Sequence, residues 1–230
     1  MTGIFTSLLT SFVLTCSSSE QLPEIQLPVS STQNITIDAH ILETEWQDAK
    51  KISTFINPWN KDVEPYTEVN LLWNGKDLFF YFLANDKDVV VADKLLQENG
   101  VSMEDRVELF FSSQLPLTDY YAIEMDPLGR VLDYSIAYYR KFNKSWNADK
   151  HLQVKGRLTP QGYCVEGCIK EELLQKMTNG KKRFYLGAYR AEFKKDKEGK
   201  LLYNWLCIKD PHLEKPDFHV AETFIQLVLE

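Results

Sequence analysis

Three tryptophans stand in surroundings that suit ligand binding. Trp59 and Trp146 each lie in a short polar loop, and Trp205 begins a strand-like run. An exposed indole offers a flat apolar face of the kind that covers the C–H groups of a sugar ring. We therefore interpret these three residues as candidates for carbohydrate contact, with a loop or core anchor as the alternative for each. Trp46 and Trp73 lie in apolar patterns and are expected in the core.

Two arginines are the candidate polar partners of such a ligand. Strand alternation along residues 184–193 places Arg190 and Glu192 on the same face as apolar residues. Buried charges persist only when they are paired or face a pocket. Arg190 therefore either binds ligand hydroxyls with its forked donors or forms an internal ion pair with Glu192. Arg140 follows an alternating run that starts at Leu132, which predicts a position at the mouth of a cleft.

The sequence offers little for catalysis. A glycosidase needs two carboxylates about 5 to 9.5 Å apart. Glu108 and Glu124 are strand residues that could face one cleft, but such pairs arise by chance among 33 acidic residues. Motifs of serine hydrolases, zinc proteases and phosphate-binding loops are absent from the sequence. We predict a protein that is not an enzyme, with a glycoside hydrolase using paired carboxylates as the alternative.

Metal ligands are also sparse. Asp86 and Asp88 could bind a structural calcium ion together with backbone carbonyls, although ordinary turn residues are the alternative. No other cofactor is expected from the spacing of the ligand-forming residues. His219 stands alone between Phe218 and Val220, which favours a hydrogen-bonded structural role.

The cysteines and the net charge restrict the class of protein further. Cys164 and Cys168 are four residues apart in a strand-like run, so their α-carbons lie about 13 Å apart, too far for a disulfide. Cys207 could pair with either one, or all three could be buried thiols. The net charge of −7 argues against nucleic acid as a partner, because phosphate binding needs a basic face.

The N-terminal region predicts export. Residues 4–15 form an apolar stretch that is too short to span a bilayer and has the length of a signal-peptide core. It ends at Cys16, in a pattern that resembles a bacterial lipobox, so Cys16 is the predicted lipidation site. We divide the chain into a signal peptide (1–16), a flexible tether (17–32) and one folded domain (33–230).

The folded domain reads as an all-β protein. From Ile35 onward, about twelve short β-rich runs alternate with turn sequences, and Asn74-Gly75 is the strongest hairpin signal. Only residues 43–51 and 171–177 have helical character. The pattern predicts a sandwich of two antiparallel sheets, jelly-roll or immunoglobulin-like, with one or two short helices.

An ordered set of motifs adds a family resemblance. The set comprises Ile37-Asp38-Ala39 with Glu45-Trp46, the hairpin from Thr67 to Asp86, the strand Glu104 to Phe110, Tyr139 to Phe142 with Trp146, Tyr189 to Phe193, and Pro216 to His219 with Phe224. Together these motifs resemble the carbohydrate-binding modules of family 9 and their relatives in bacterial surface lipoproteins. The resemblance covers residues 35–230.

The resemblance implies a function and a location. It implies non-catalytic binding of a poly- or oligosaccharide, in support of glycan breakdown or uptake, with glycoside hydrolases as further partners. The location would be the cell surface or periplasm, with a lipid anchor as the only membrane contact, in the outer membrane of a Gram-negative bacterium. Related sandwiches bind haem through Met and His, for which Met103 or Met125 with His151 or His219 are the candidates here.

Overall fold

The computed structural model describes residues 22–31, 35–42, 44–91 and 98–230. These residues form thirteen strands: β1 (Glu24–Leu27), β2 (Lys50–Ile52), β3 (Thr67–Trp73), β4 (Leu78–Asn85), β5 (Arg106–Ser112), β6 (Asp119–Met125), β7 (Val131–Ala137), β8 (Lys141–Asn143), β9 (Leu152–Thr159), β10 (Gly162–Ile169), β11 (Arg183–Lys195), β12 (Leu201–Cys207) and β13 (Ile225–Leu229). The helices are α1 (Glu98–Val101), α2 (Glu171–Thr178) and the 3₁₀ turns Thr44–Asp48, Asp149–His151 and Ala221–Thr223. No helix among the described residues is both long and apolar enough to cross a membrane.

The strands form two sheets, which confirms the predicted sandwich. The large sheet has the order β1-β13-β11-β5-β6-β7-β8, with β12 paired to the second half of β11. The small sheet has the order β2-β3-β4-β10-β9. Every pair is antiparallel except β1 with β13.

The core lies between the sheets, and each sheet also carries a covered outer face. Alternation along β5 shows how this arises: Val107, Leu109 and Phe111 point into the inter-sheet core, whereas Phe110 packs on the opposite face. On the outer face of the large sheet, Phe110 joins a second apolar cluster with Tyr189 and Phe218. The segment that joins β12 to β13 therefore folds back across this outer face.

The structure corrects three local predictions. The β3–β4 hairpin is present, but its loop has four residues, and only Gly75 of the Asn74-Gly75 pair takes a positive φ, whereas a two-residue turn would need it at both. Asn74 instead accepts hydrogen bonds from the backbone N–H groups of Lys76 and Asp77. The alternating run from Leu132 does not continue to Arg140, because β7 ends at Ala137 and the chain turns there into β8. Helix α1 was not predicted.

The boundary between tether and domain also differs from the prediction. Residues 24–27, placed in the tether, form β1 and pair with residues 226–229 of β13. Leu27 is buried in the inter-sheet core, and Val29 forms a bridge with Trp73 at the end of β3. The sandwich thus includes residues before position 33. Residues 1–21, with the predicted signal peptide and Cys16, lie outside the described residues.

Candidate functional site

A cleft of about 460 Å³ opens on the outer face of the large sheet. Its floor is formed by side chains of β5, β6 and β7, and its walls by β8, β12 and the segment before β13. The lining residues are Arg106, Glu108, Glu124, Tyr134, Arg140, Phe142, Trp205, Pro216, Asp217, Phe218 and His219. The cleft combines aromatic walls with a charged floor.

The aromatic walls are held by ring packing and a hydroxyl network. Phe218 stacks on Tyr189, with ring centroids 4.2 Å apart and an interplanar angle of 14°. Trp205 meets Phe218 edge-on, with ring centroids 5.8 Å apart. The Tyr189 hydroxyl, on β11, lies 2.7 Å from the Thr223 hydroxyl, and this hydrogen bond fixes the segment on the sheet. Phe142 forms the opposite wall and is 42% exposed.

The floor contains two facing carboxylates with one arginine between them. Glu108 and Glu124 are direct cross-strand partners in β5 and β6. Arg106 Nε lies 2.9 Å from Glu108 Oε1 and 2.6 Å from Glu124 Oε2. These contacts have ion-pair distances without hydrogen-bond alignment, since none of the three atoms has an aligned partner among the described residues. Tyr134 donates its hydroxyl hydrogen bond to the other oxygen of Glu124.

Burial and like charge change the acidity of the floor. Burial, and then the neighbouring charge of Glu124, raise the pKa of Glu108 to about 8. Burial alone would lower the pKa of Arg106, but the carboxylates of Glu108 and Glu124 outweigh it and raise that pKa. The arginine of the floor is therefore charged at neutral pH, and the ionised form of Glu108 is disfavoured.

The rim of the cleft is tied by Arg140. This residue adopts a left-handed φ of 57° in the turn between β7 and β8, and its Nη1 lies 2.9 Å from Asp217 Oδ1. Tyr139 donates a hydrogen bond to the other carboxylate oxygen of Asp217. Behind the rim, His219 Nδ1 lies 3.1 Å from the Tyr120 hydroxyl. Burial and the charge of Arg140 lower the pKa of His219 to about 4, so its ring is neutral at pH 7.

Comparison with known proteins identifies the family. The family model described as carbohydrate family 9 binding domain-like matches residues 37–230. The chain belongs to this family. No curated protein sequence matches the chain.

Three solved structures are similar to this family 9 domain in fold. A proposed carbohydrate-binding protein from Bacteroides uniformis has a TM-score of 0.71 at 15% identity, covering 91% of this chain and 100% of its own. A family 9 module from Caldicellulosiruptor kristjanssonii in complex with cellotriose has a TM-score of 0.61 at 14% identity, covering 90% and 93%. A module from the same organism in complex with glucose has a TM-score of 0.57 at 16% identity, covering 90% and 95%.

The family 9 domain brings two of the five predicted site residues into the cleft. Arg140 and Trp205 both line it. Arg140 reaches this position through the tight turn after Ala137 and not by strand alternation, as the sequence suggested. Trp59 lies behind the wall: its indole N–H donates to the Leu213 carbonyl at 2.9 Å, and its ring centroid is 6.1 Å from that of Phe218.

The other two predicted residues lie elsewhere. Trp146 is half-buried against the inter-sheet core, between the Tyr121 ring at 4.9 Å and Lys176 Nζ at 5.3 Å. Arg190 is fully buried between the sheets. Its Nη2 is 2.9 Å from Asp86 Oδ2, so it forms the internal ion pair that was the alternative, with Asp86 instead of Glu192 as the partner. Neither residue lines the cleft.

Sequence reasoning did not assign a binding role to the floor or to the aromatic walls other than Trp205. Glu108 and Glu124 were considered only as catalytic acids, and Phe142 and Phe218 only as parts of a motif. One signal was available for the floor. Alternation in β5 places Arg106 and Glu108 on the strand face opposite to the apolar Val107 and Leu109. Charged side chains on that face indicate either a pocket or a covering segment.

The described residues place two of the candidate haem ligands on opposite faces of a sheet and engage the candidate calcium ligand Asp86 with protein groups. The carboxylate of Asp86 is engaged by Arg190 through one oxygen and by the backbone N–H of Asp88 through the other. No group of three His, Cys, Asp or Glu side chains is arranged to hold a metal ion in the described ranges. Met125 lies in the inter-sheet core, whereas His219 lies on the outer face of the same sheet.

The three described cysteines are free thiols. All are buried, which leaves the disulfide alternative for Cys207 without support. Burial raises the pKa values of Cys164 and Cys207 to about 12 and that of Cys168 to about 11. Such thiols are poor nucleophiles and have no part in the cleft.

Proposed function

We propose that this protein binds an oligo- or polysaccharide in the outer-face cleft and carries out no reaction on it. The observation that supports this most directly is the pairing of aromatic walls with a polar floor in one cavity. Trp205, Phe142 and Phe218 present apolar surface to the cavity, and Glu108 and Glu124 present carboxylates. Sugar rings have both an apolar C–H face and hydroxyl donors, and so match both parts.

The position of Arg106 supports a binding role over a glycosidase. In a glycosidase the scissile bond lies between the two carboxylates. Here the guanidinium nitrogen Nε lies between them, 2.9 Å from Glu108 and 2.6 Å from Glu124. A substrate bond would have to displace a buried arginine that is also paired with both acids. The carboxylates are better suited to accept hydrogen bonds from a ligand than to cleave it.

Export to the cell surface through Cys16 is part of the same proposal. The apolar stretch 4–15 and the cysteine that follows it support a lipid-anchored protein, and a glycan-binding domain in that position would serve glycan breakdown or uptake beside glycoside hydrolases. Mass spectrometry of the mature protein from its native host tests this. A diacylglyceryl cysteine as the first residue is expected, whereas a mature chain that keeps residues 1–15 would contradict it.

Binding is tested with a glycan array, followed by calorimetry on the best ligand. Replacing Trp205 or Phe142 by Ala should weaken binding about tenfold, because each change removes one ring from the cleft wall. Tyr66→Ala is the matched control, since this exposed ring lies next to the small sheet. Full affinity in both wall variants, or a folded protein that binds no glycan of a broad array, would refute the proposal.

A further inference from the structure

Exposed aromatic side chains cluster beside the cleft. Five aromatic residues in the described part of the chain are exposed, and three of them lie within residues 138–142, which span the turn after β7 and the start of β8. We call this segment the aromatic turn. Single apolar side chains are common on a surface, whereas a contiguous group indicates a binding surface. The five exposed aromatic residues are Tyr66, Tyr138, Tyr139, Phe142 and Tyr203.

The aromatic turn is continuous with the cleft. Phe142 lines the cleft as one of its walls. The guanidinium of Arg140 lies 5.6 Å from the centre of the Phe142 ring and 5.8 Å from the centre of the Tyr139 ring. The rings of Tyr139 and Tyr138 follow, with their centroids 5.3 Å apart. A series of three rings and one guanidinium therefore runs from the cleft wall to Tyr138.

Contacts within the protein hold the aromatic turn in place without a ligand. The backbone N–H of Tyr138 donates a hydrogen bond to the Thr118 carbonyl at 2.6 Å. Asp217 accepts hydrogen bonds from Arg140 Nη1 at 2.9 Å and from the Tyr139 hydroxyl. Rings that are already fixed lose little conformational freedom when a ligand packs on them. The turn is therefore a preorganised surface.

The aromatic turn also offers hydrogen-bond donors beside its rings. Nη1 is the one nitrogen of the Arg140 side chain that bonds to another described residue, and this side chain is 43% exposed. Its Nε and Nη2 groups can therefore donate to the hydroxyls of a ligand. The centre of a protein-docking patch is depleted of charged residues. Rings that alternate with donors repeat the combination found in the cleft and favour a sugar.

We propose that the glycan extends out of the cleft and that its next sugar residues bind over the aromatic turn. A sugar ring would pack on Tyr138 and Tyr139 while Arg140 donates hydrogen bonds to its hydroxyls. This inference rests on the proposed function and specifies its ligand class. The ligand is a linear chain that is longer than the cleft, and not a mono- or disaccharide.

The β12 side of the cleft is less suited to a continuing chain. Tyr203 stands two residues before Trp205 on β12 and so shares its strand face. It is the one exposed aromatic residue of that strand, and it packs edge-on against Phe193, with ring centroids 4.7 Å apart. Tyr203 thus marks the alternative path for the chain, and the variants below distinguish the two paths.

A chain-length series provides the test. The probes are oligosaccharides of two to five residues from five series: β-1,4-glucan, β-1,3-glucan, β-1,4-mannan, β-1,4-xylan and α-1,4-glucan. Calorimetry measures the affinity of each. In the series that binds best, we expect the pentasaccharide to bind about tenfold tighter than the disaccharide, because its additional residues contact the aromatic turn. Equal affinity of the two, or no binding in any series, would overturn the inference.

Variants show whether the aromatic turn causes this gain. Tyr138→Ala removes the outer ring and should lower the affinity for the pentasaccharide about three- to fivefold, with the disaccharide affinity within about twofold of wild type. Tyr138→Phe keeps the ring and should keep the gain. Tyr66→Ala is the matched control, because Tyr66 is 48% exposed against 47% for Tyr138 and does not line the cleft. It should change neither affinity.

Two outcomes in the variants would contradict the proposed path. Equal weakening of both oligosaccharides by Tyr138→Ala would show that the ring only supports the cleft. A gain that is lost in Tyr203→Ala and kept in Tyr138→Ala would place the chain on the β12 side. Either outcome overturns the inference.

NMR on the unaltered protein gives a result that does not depend on how the variants fold. Nuclear Overhauser effects between the ring protons of Tyr138 and the sugar are expected with the pentasaccharide and not with the disaccharide. Their absence with a bound pentasaccharide would overturn the inference.

The two proposals fail in different ways. If the disaccharide and the pentasaccharide bind equally, the site over the aromatic turn is wrong and carbohydrate binding stands. If the folded protein binds neither these oligosaccharides nor any glycan of a broad array, carbohydrate binding itself is wrong.

Discussion

Replacing Glu108 by Gln should change how the stability of the protein depends on pH. The pKa of Glu108 is about 8 in the folded protein against an ordinary value of 4.5. Between these values the folded state holds a proton that the unfolded state has lost, so the free energy of unfolding falls as pH rises. Each pH unit costs at most about 1.4 kcal/mol, which gives an upper bound of about 4 kcal/mol between pH 5 and pH 8.

Urea unfolding at half-unit steps from pH 5 to pH 8.5 measures this effect as a difference between wild type and Glu108→Gln. The variant lacks the proton, so its stability relative to wild type should increase steadily with pH by about 2 to 4 kcal/mol. Asp105, buried at the end of the sandwich, also has a pKa raised to about 8 by burial, and Asp105→Asn provides a matched comparison. The reasoning is refuted if the two stability curves of wild type and Glu108→Gln run parallel.

Three further predictions follow from burial. Leu27→Ala should lower the free energy of unfolding by about 2 to 4 kcal/mol, because it opens a cavity under β1. The control Gln26→Ala changes an exposed residue of the same strand and should alter that free energy by less than about 0.5 kcal/mol. An equal effect of both changes in denaturant unfolding would contradict the placement of β1. Arg190→Met should lower the free energy of unfolding by about 3 to 5 kcal/mol, because it leaves Asp86 buried without its partner. The folded variant should keep its affinity for glycan. Calorimetry that showed lost affinity in the folded variant would place Arg190 in the site. A thiol reagent at pH 8 should label the native protein slowly and the urea-unfolded protein fully, and rapid native labelling would contradict the burial of the three thiols Cys164, Cys168 and Cys207.

The sandwich was predictable because its signals are local. Alternating apolar residues and turn sequences define β3, β4, β6 and β10 without any knowledge of the rest of the chain. Residues 24–27 show the limit of this approach. Their apolar side chains are few, and their strand forms only because β13 offers a free edge, which is contributed by the far end of the chain.

The site was less predictable because it depends on contacts between distant segments. Trp146 and Trp205 both follow polar or mixed sequence, yet Trp146 packs against the inter-sheet core and Trp205 lines the cleft. The difference is set by the β12–β13 segment, whose fold over the sheet depends on the stacking of Phe218 on Tyr189. A segment without regular structure carries no periodic signal from which such packing could be predicted.

The attachment of β1 would have a mechanical consequence if the protein is anchored through Cys16, as proposed. A pull on the chain before Glu24 acts along β1, which runs parallel to β13 over four residue pairs. The load is then shared in shear by the whole set of interstrand hydrogen bonds, while an antiparallel hairpin pulled apart at its open end yields one bond at a time. Because the backbone N–H of Ser30 also binds the Trp73 carbonyl at 2.7 Å, the same short segment transmits force into both sheets.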